Sequence, residues 1–145
     1  MFNFPFKTTI TAFSTSGVET KWTTQSNSLP PITCSIPPEF QGAGEAYTPE
    51  HLFAMAVTNC IIAMFKVLCS KSNLTFKNIN AEATVSLDKD QANNILSLTE
   101  IFIRLNVTGA SDKELIKQTL DNAIKSCPVG NSIKTGKTFQ INIKD

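Results

Sequence analysis

Two stretches of strict alternation do most to limit the fold. In Ile79-Asn80-Ala81-Glu82-Ala83-Thr84-Val85-Ser86-Leu87 every odd-numbered position is apolar. Ile95 to Val107 repeats the pattern, with Ile101, Ile103, Leu105 and Val107 on one face. A period of two puts such residues on one side of a strand. The polar turn Asp88 to Asn94 lies between them. The two segments therefore read as an antiparallel pair with one wet face and one face that must be covered.

Helical patterns flank the pair and supply the cover. Thr48-Pro49-Glu50 reads as a helix start, with Thr48 as cap, Pro49 in the first turn and Glu50 complementing the macrodipole. That helix should run to about Lys71, with Ser72-Asn73 ending it. A second helix should start at Ser111, with Glu114 completing a capping box, and end at Cys127-Pro128. Its apolar stripe is Leu115, Ile116, Leu120, Ala123 and Ile124. Short strands are expected at Phe6–Phe13, Val18–Thr24 and Ile32–Ile36, and a last one at Thr138–Ile143. The order is βββ-α-ββ-α-β, an α+β fold in a single domain spanning residues 1–145.

Bulk properties exclude several classes. The net charge is +1 and the thirteen Lys and Arg residues are scattered, so there is no footprint for nucleic acid. The N-terminal stretch lacks the charged, apolar and small-residue regions of a signal peptide. Leu52 to Leu68 is almost long enough to span a membrane, but Thr58, Asn59 and Lys66 interrupt it, so a buried core helix is expected. These features point to a cytoplasmic protein with reduced thiols and no membrane partner. The four cysteines, Cys34, Cys60, Cys69 and Cys127, form no CxxC pair, so no metal site is expected.

The cysteines then divide. Cys60 lies mid-helix with Phe53, Ala56, Val57, Ala63, Met64 and Val67 on its face. Read alone, it is a small buried hydrophobe; Cys34 and Cys69 read the same way. The only histidine, His51, falls on the opposite helix face from Cys60, so it is expected at the surface of the first turn and not as a base. Cys127 stands at a helix end, where reactive groups are often displayed. If Ser126 or Cys127 caps a new turn at Pro128, the helix N-terminus would lower the Cys127 pKa.

Two motifs together resemble the OsmC/Ohr organic hydroperoxide resistance family. One is Tyr47-Thr48-Pro49-Glu50-His51-Leu52-Phe53 followed by Cys60; the other is Ser126-Cys127-Pro128-Val129. Pro37-Pro38-Glu39-Phe40-Gln41-Gly42 looks like a divergent branch. The resemblance implies antiparallel sheets around two central helices in an intertwined homodimer. It implies that Cys60 is the peroxidatic thiolate, that Cys127 resolves its sulfenic acid as a disulfide, and that Glu50 belongs to the active site. The substrate would be an organic hydroperoxide. No cofactor would be bound, and an external dithiol, in the family typically a lipoyl group on a protein, would be the reductant. The family also pairs its reactive cysteine with an N-terminal arginine. Here the sole arginine is Arg104, which leaves Lys7 or Lys21 as the nearest substitutes. An OsmC-like dimer that binds a small molecule or lipid, without efficient peroxide chemistry, is the alternative reading.

Overall fold

The structure, a computed structural model, describes residues 4–145. The chain divides into two compact units, Met1–Leu52 and Phe53–Asp145.

The first unit holds three short antiparallel strands in the order β1 (Ile10–Phe13), β2 (Trp22–Ser26) and β3 (Ile32–Cys34). They are shorter or shifted relative to the alternating residues. Gly17 adopts a φ of 114° and its carbonyl accepts the Thr20 amide, so residues 17–20 form a turn and β2 begins only at Trp22. After β3 the chain passes through a 3-10 turn at Pro38–Phe40. Gly42 is required there, because a Cβ would lie 1.9 Å from the Ile36 carbonyl oxygen. The chain returns at Tyr47, which bridges in parallel to Cys34.

Helix α1 (Pro49–Lys71) starts where the sequence places it. Its cap is reciprocal. The His51 amide donates to Thr48 Oγ1 at 3.4 Å, and the Thr48 amide donates to His51 Nδ1 at 3.0 Å. His51 thus fills the place of the usual Glu or Gln of a capping box. It is exposed, as expected.

The second unit is a sheet in the order β4 (Asn78–Lys89), β5 (Leu96–Thr108) and β6 (Gly136–Lys144). β4 and β5 are the expected antiparallel pair, with Ile79 opposite Val107 and Ala83 opposite Ile103. β6, however, runs parallel to β5. The reason is the crossover: α2 (Lys113–Ser126) and α3 (Pro128–Asn131) separate the strands and return the chain to the end at which β5 began. The core is one cluster. Val57, Ile61, Phe65 and Cys69 of α1 join Ile101, Ile103, Leu105 and Val107 of β5, and Ile116, Leu120 and Ala123 of α2. Leu115, expected in the α2 stripe, is exposed instead.

The α2 cap is one residue later than expected. Asp112 is the N-cap and accepts the Leu115 amide at 2.9 Å. Ser111 is diverted: its Oγ accepts the Thr75 amide at 3.0 Å, tying the helix entry to the segment before β4. By length and composition α1 would also suffice to cross a membrane; one stripe of it lies instead in the core just described.

Candidate functional site

Cys60 lies one residue from the buried α1 stripe, so its side chain is only half-buried. The reading of Cys60 as a fully buried hydrophobe does not hold. Its polar neighbours do not compete for it: Thr58 Oγ1 donates to the Ala54 carbonyl and Asn59 Nδ2 to the Met55 carbonyl.

Cys127 is the thiol that the fold encloses, at 1% exposure. Pro128 cannot donate to the α2 ladder and disfavours helical backbone at the residue before it, so α2 stops at Ser126 and Cys127 is extended, with ψ 111°. It then caps α3. The Gly130 amide donates to Cys127 Sγ at 3.2 Å. A methyl group on Gly130 would touch that sulfur at 3.4 Å.

The turn of chain at Pro128 leaves the Cys127 thiol near enough to the Cys60 thiol for the two to affect each other's ionisation. All four cysteines are free. Burial, first, and then the neighbouring Cys60 thiol push the Cys127 thiol up to about 11. The Gly130 and Val129 amides pull the other way and do not prevail. The helix-start effect expected at Cys127 is therefore present but outweighed by desolvation. Cys34 and Cys69 are buried and also pushed up by burial, as expected of inert thiols.

A cleft of about 690 Å³ opens in the second unit beside the β4–β5 turn. Phe53, Ile95, Leu98 and Ile133 give it apolar walls, and Asp88 and Lys134 stand among its polar groups. Phe53 precedes Cys60 by two helical turns and shares its face. Sequence reasoning did not find this cleft, because its walls come from segments distant in the chain. The Gly130 contact was more accessible: a glycine three residues past a helix-ending Cys-Pro is a visible signal.

A family model described as OsmC-like protein matches residues 42–142. The chain belongs to the OsmC-like family. A search of curated proteins returned no match. Among solved structures, an OsmC-like protein from Mycoplasma pneumoniae has a TM-score of 0.82 at 17% identity, covering 98% of this chain and 100% of that one. An organic hydroperoxide resistance protein from Elizabethkingia anophelis, with crystallant-derived thiocyanate bound, gives 0.74 at 18% identity, covering 98% and 99%. The organic hydroperoxide resistance protein OhrB of Bacillus subtilis gives 0.65 at 20%, covering 96% and 98%. At such identities these structures establish the fold.

Against the pattern expected of an OsmC-like protein, the remaining candidates fall as follows. Glu50 sits in the first turn of α1, and its Oε2 is buried with no hydrogen-bond partner among the described residues. α1 is unbroken from Pro49 to Lys71, so ten residues of rise hold Glu50 roughly 15 Å from Cys60 along the axis. Arg104 is engaged away from both thiols' motifs, by partners on its own sheet. Its Nη1 pairs with Glu82 Oε1 at 3.0 Å and its Nε donates to Gln140 Oε1 at 3.2 Å, on the outer face of the sheet. The Lys21 ammonium donates to the Glu45 carbonyl at 3.4 Å, and Lys7 is exposed. Among the described residues no group of three His, Cys, Asp or Glu side chains could hold a metal ion.

Proposed function

We propose that this OsmC-like protein is a thiol-dependent organic hydroperoxide reductase, with Cys60 as peroxidatic and Cys127 as resolving cysteine. The observation that carries the reading is the nearness of these two thiols, which lie far apart in sequence. Disulfide formation needs that proximity. In the reaction the Cys60 thiolate attacks the terminal oxygen of the hydroperoxide. The O–O bond breaks, Cys60 becomes a sulfenic acid and the organic fragment leaves as an alkoxide that takes up a proton. Cys127 then attacks the Cys60 sulfur, the S–S bond forms and water leaves. An external dithiol, such as a protein-bound lipoyl group, restores both thiols by exchange. The cleft that Phe53 lines, two helical turns from Cys60 along α1, has apolar walls that suit an alkyl or acyl substrate better than hydrogen peroxide. Glu50, with its unpartnered oxygen, belongs to the same proposal as an active-site carboxylate in a cytoplasmic homodimer.

The test is intact mass and non-reducing peptide mapping after one equivalent of cumene or fatty-acyl hydroperoxide. A loss of two hydrogens located to Cys60–Cys127 is expected. Turnover that survives Cys60→Ser would sink the proposal.

One observation favours the alternative of a binding protein with little peroxide chemistry. The chain's single arginine is committed to Glu82 and Gln140, and Lys lacks the bidentate fork that holds a thiolate and a carboxylate together. No Cys60–Cys127 disulfide on hydroperoxide treatment, together with binding of a fatty acid or similar small molecule, is the outcome that reading expects.

A further inference from the structure

We propose that His51 is the positioning residue for Glu50, acting through a helix cap that only a bare Nδ1 can complete, so that acid releases the start of α1. The part given to Glu50 rests on the reductase reading; the cap itself does not.

The hydrogen-bond roles follow from one fixed donor. A backbone N–H can only donate, and the Thr48 amide meets His51 Nδ1 at 3.0 Å. Nδ1 therefore carries no hydrogen, and the hydrogen of the neutral ring is on Nε2. Thr48 Oγ1 lies 3.1 Å from the same Nδ1. With that nitrogen bare, the hydroxyl is the donor of this second bond. The same oxygen accepts the His51 amide at 3.4 Å. An ordinary capping box has Glu or Gln at this position, and their oxygens accept throughout the neutral range. An imidazole accepts only in its neutral form.

A proton on Nδ1 sets donor against donor. The Thr48 hydroxyl can rotate to accept it, but the amide cannot. Thr48 is 7% exposed, so the amide loses its partner with little water to replace it. The imidazolium also stands in the first turn, where the macrodipole opposes positive charge. His51 is exposed, so protons have access to it. Glu45 and Tyr47 line a cleft with the ring, beside Thr33 of β3 and Ala46, and Glu50 precedes it in the helix. The two carboxylates favour an imidazolium, but neither supplies the Thr48 amide with an acceptor. Glu45 is exposed, where water and salt weaken its pull. Glu50 projects about 100° around the helix from His51.

The cap matters for what it holds. Tyr47, just before it, is fixed to β3: its amide donates to the Thr33 carbonyl at 3.1 Å and its carbonyl accepts the Ser35 amide at 2.9 Å. Its ring meets the imidazole edge-on, with centroids 6.5 Å apart. Just after the cap, the Leu52 amide donates to the Thr48 carbonyl at 3.1 Å and closes the turn that carries Glu50. Backbone pairing at Tyr47 is indifferent to mild acid. The cap between Tyr47 and Glu50 is not, and its loss frees the turn on which the carboxylate is carried.

His51 is the chain's only histidine, so nitrogen NMR reads its ring directly. At about pH 8 the hydrogen is expected on Nε2; a hydrogen on Nδ1 overturns the inference. The second readout is deuterium exchange at the Thr48 and Leu52 amides, corrected for intrinsic rates, at about pH 8 and about pH 5, either side of the histidine range. Native protection is expected to fall about tenfold on acidification, the order of one hydrogen bond. His51→Gln is expected to keep its protection within about threefold, because its side-chain oxygen accepts at both pH values. His51→Ala is expected to match acidified native protein at both. Native protection that does not change with pH overturns the inference, and so does an equal fall in His51→Gln. Neither readout needs peroxide chemistry, so failure here is distinct from failure of the reductase reading, which the hydroperoxide mass shift tests.

Discussion

At the residue scale, the two thiols exchange the characters that the sequence assigns them. Cys60 sits in an uncharged run and looks buried; Cys127 sits at a helix end and looks displayed. The one-residue offset of Cys60 from the Val57–Ile61 stripe leaves it half-buried, and the tight α3 turn folds Cys127 inward. Local sequence carries helix periodicity well but carries burial across the chain poorly. The Cys127 shift has a pH consequence. Its folded pKa, about 11, lies above the ordinary 9.0. A group whose folded pKa is raised stabilises the fold below its unfolded pKa and loses that contribution as pH rises through the folded one. Thermal melts should therefore show native protein losing more stability than Cys127→Ser between pH 9.0 and about 11. Equal losses would contradict the burial of this thiol.

At the element scale, α1 and α2 make separate predictions. Phe65 of α1 is fully buried and stacks 4.9 Å from Phe76. Phe65→Ala should cost about 3–5 kcal/mol in urea denaturation, the range for emptying a core aromatic site. In α2 the cap belongs to Asp112, so Asp112→Ala should cost about 1 kcal/mol. Ser111→Ala should leave α2 helicity by circular dichroism close to native, because its hydroxyl serves the Thr75 amide and not the helix. The sequence carried α1 closely, because Thr48-Pro49-Glu50 is a local signal. It misplaced the α2 start by one residue, because Ser111 and Asp112 are both good caps and only the tertiary bond to Thr75 separates them. The parallel pairing of β6 was not legible either. Alternation fixes which face of a strand is buried, but not the direction of its neighbour.

At the scale of the whole molecule, the single chain leaves much apolar surface uncovered. Phe4, Phe6, Ile10 and Phe13 in the first unit are each more than 60% exposed, and Met55 and Val67 of α1 are about 40% exposed. Apolar surface of that extent ordinarily marks an interaction site, which supports the proposed homodimer. Light scattering coupled to size exclusion should give twice the mass of the chain, and Phe13→Asp should raise the monomer fraction. A native protein that stays monomeric at all concentrations would count against the dimer. The sheet of the second unit is organised differently. β5 is hydrogen-bonded on both flanks, and Ile101, Ile103, Leu105 and Val107 are fully buried. In terms of opening motions, its amides have no local route to solvent and exchange hydrogen only when the unit opens as a whole, whereas the four exposed residues of β1 exchange by fraying. β5 is thus the slowest clock in the molecule.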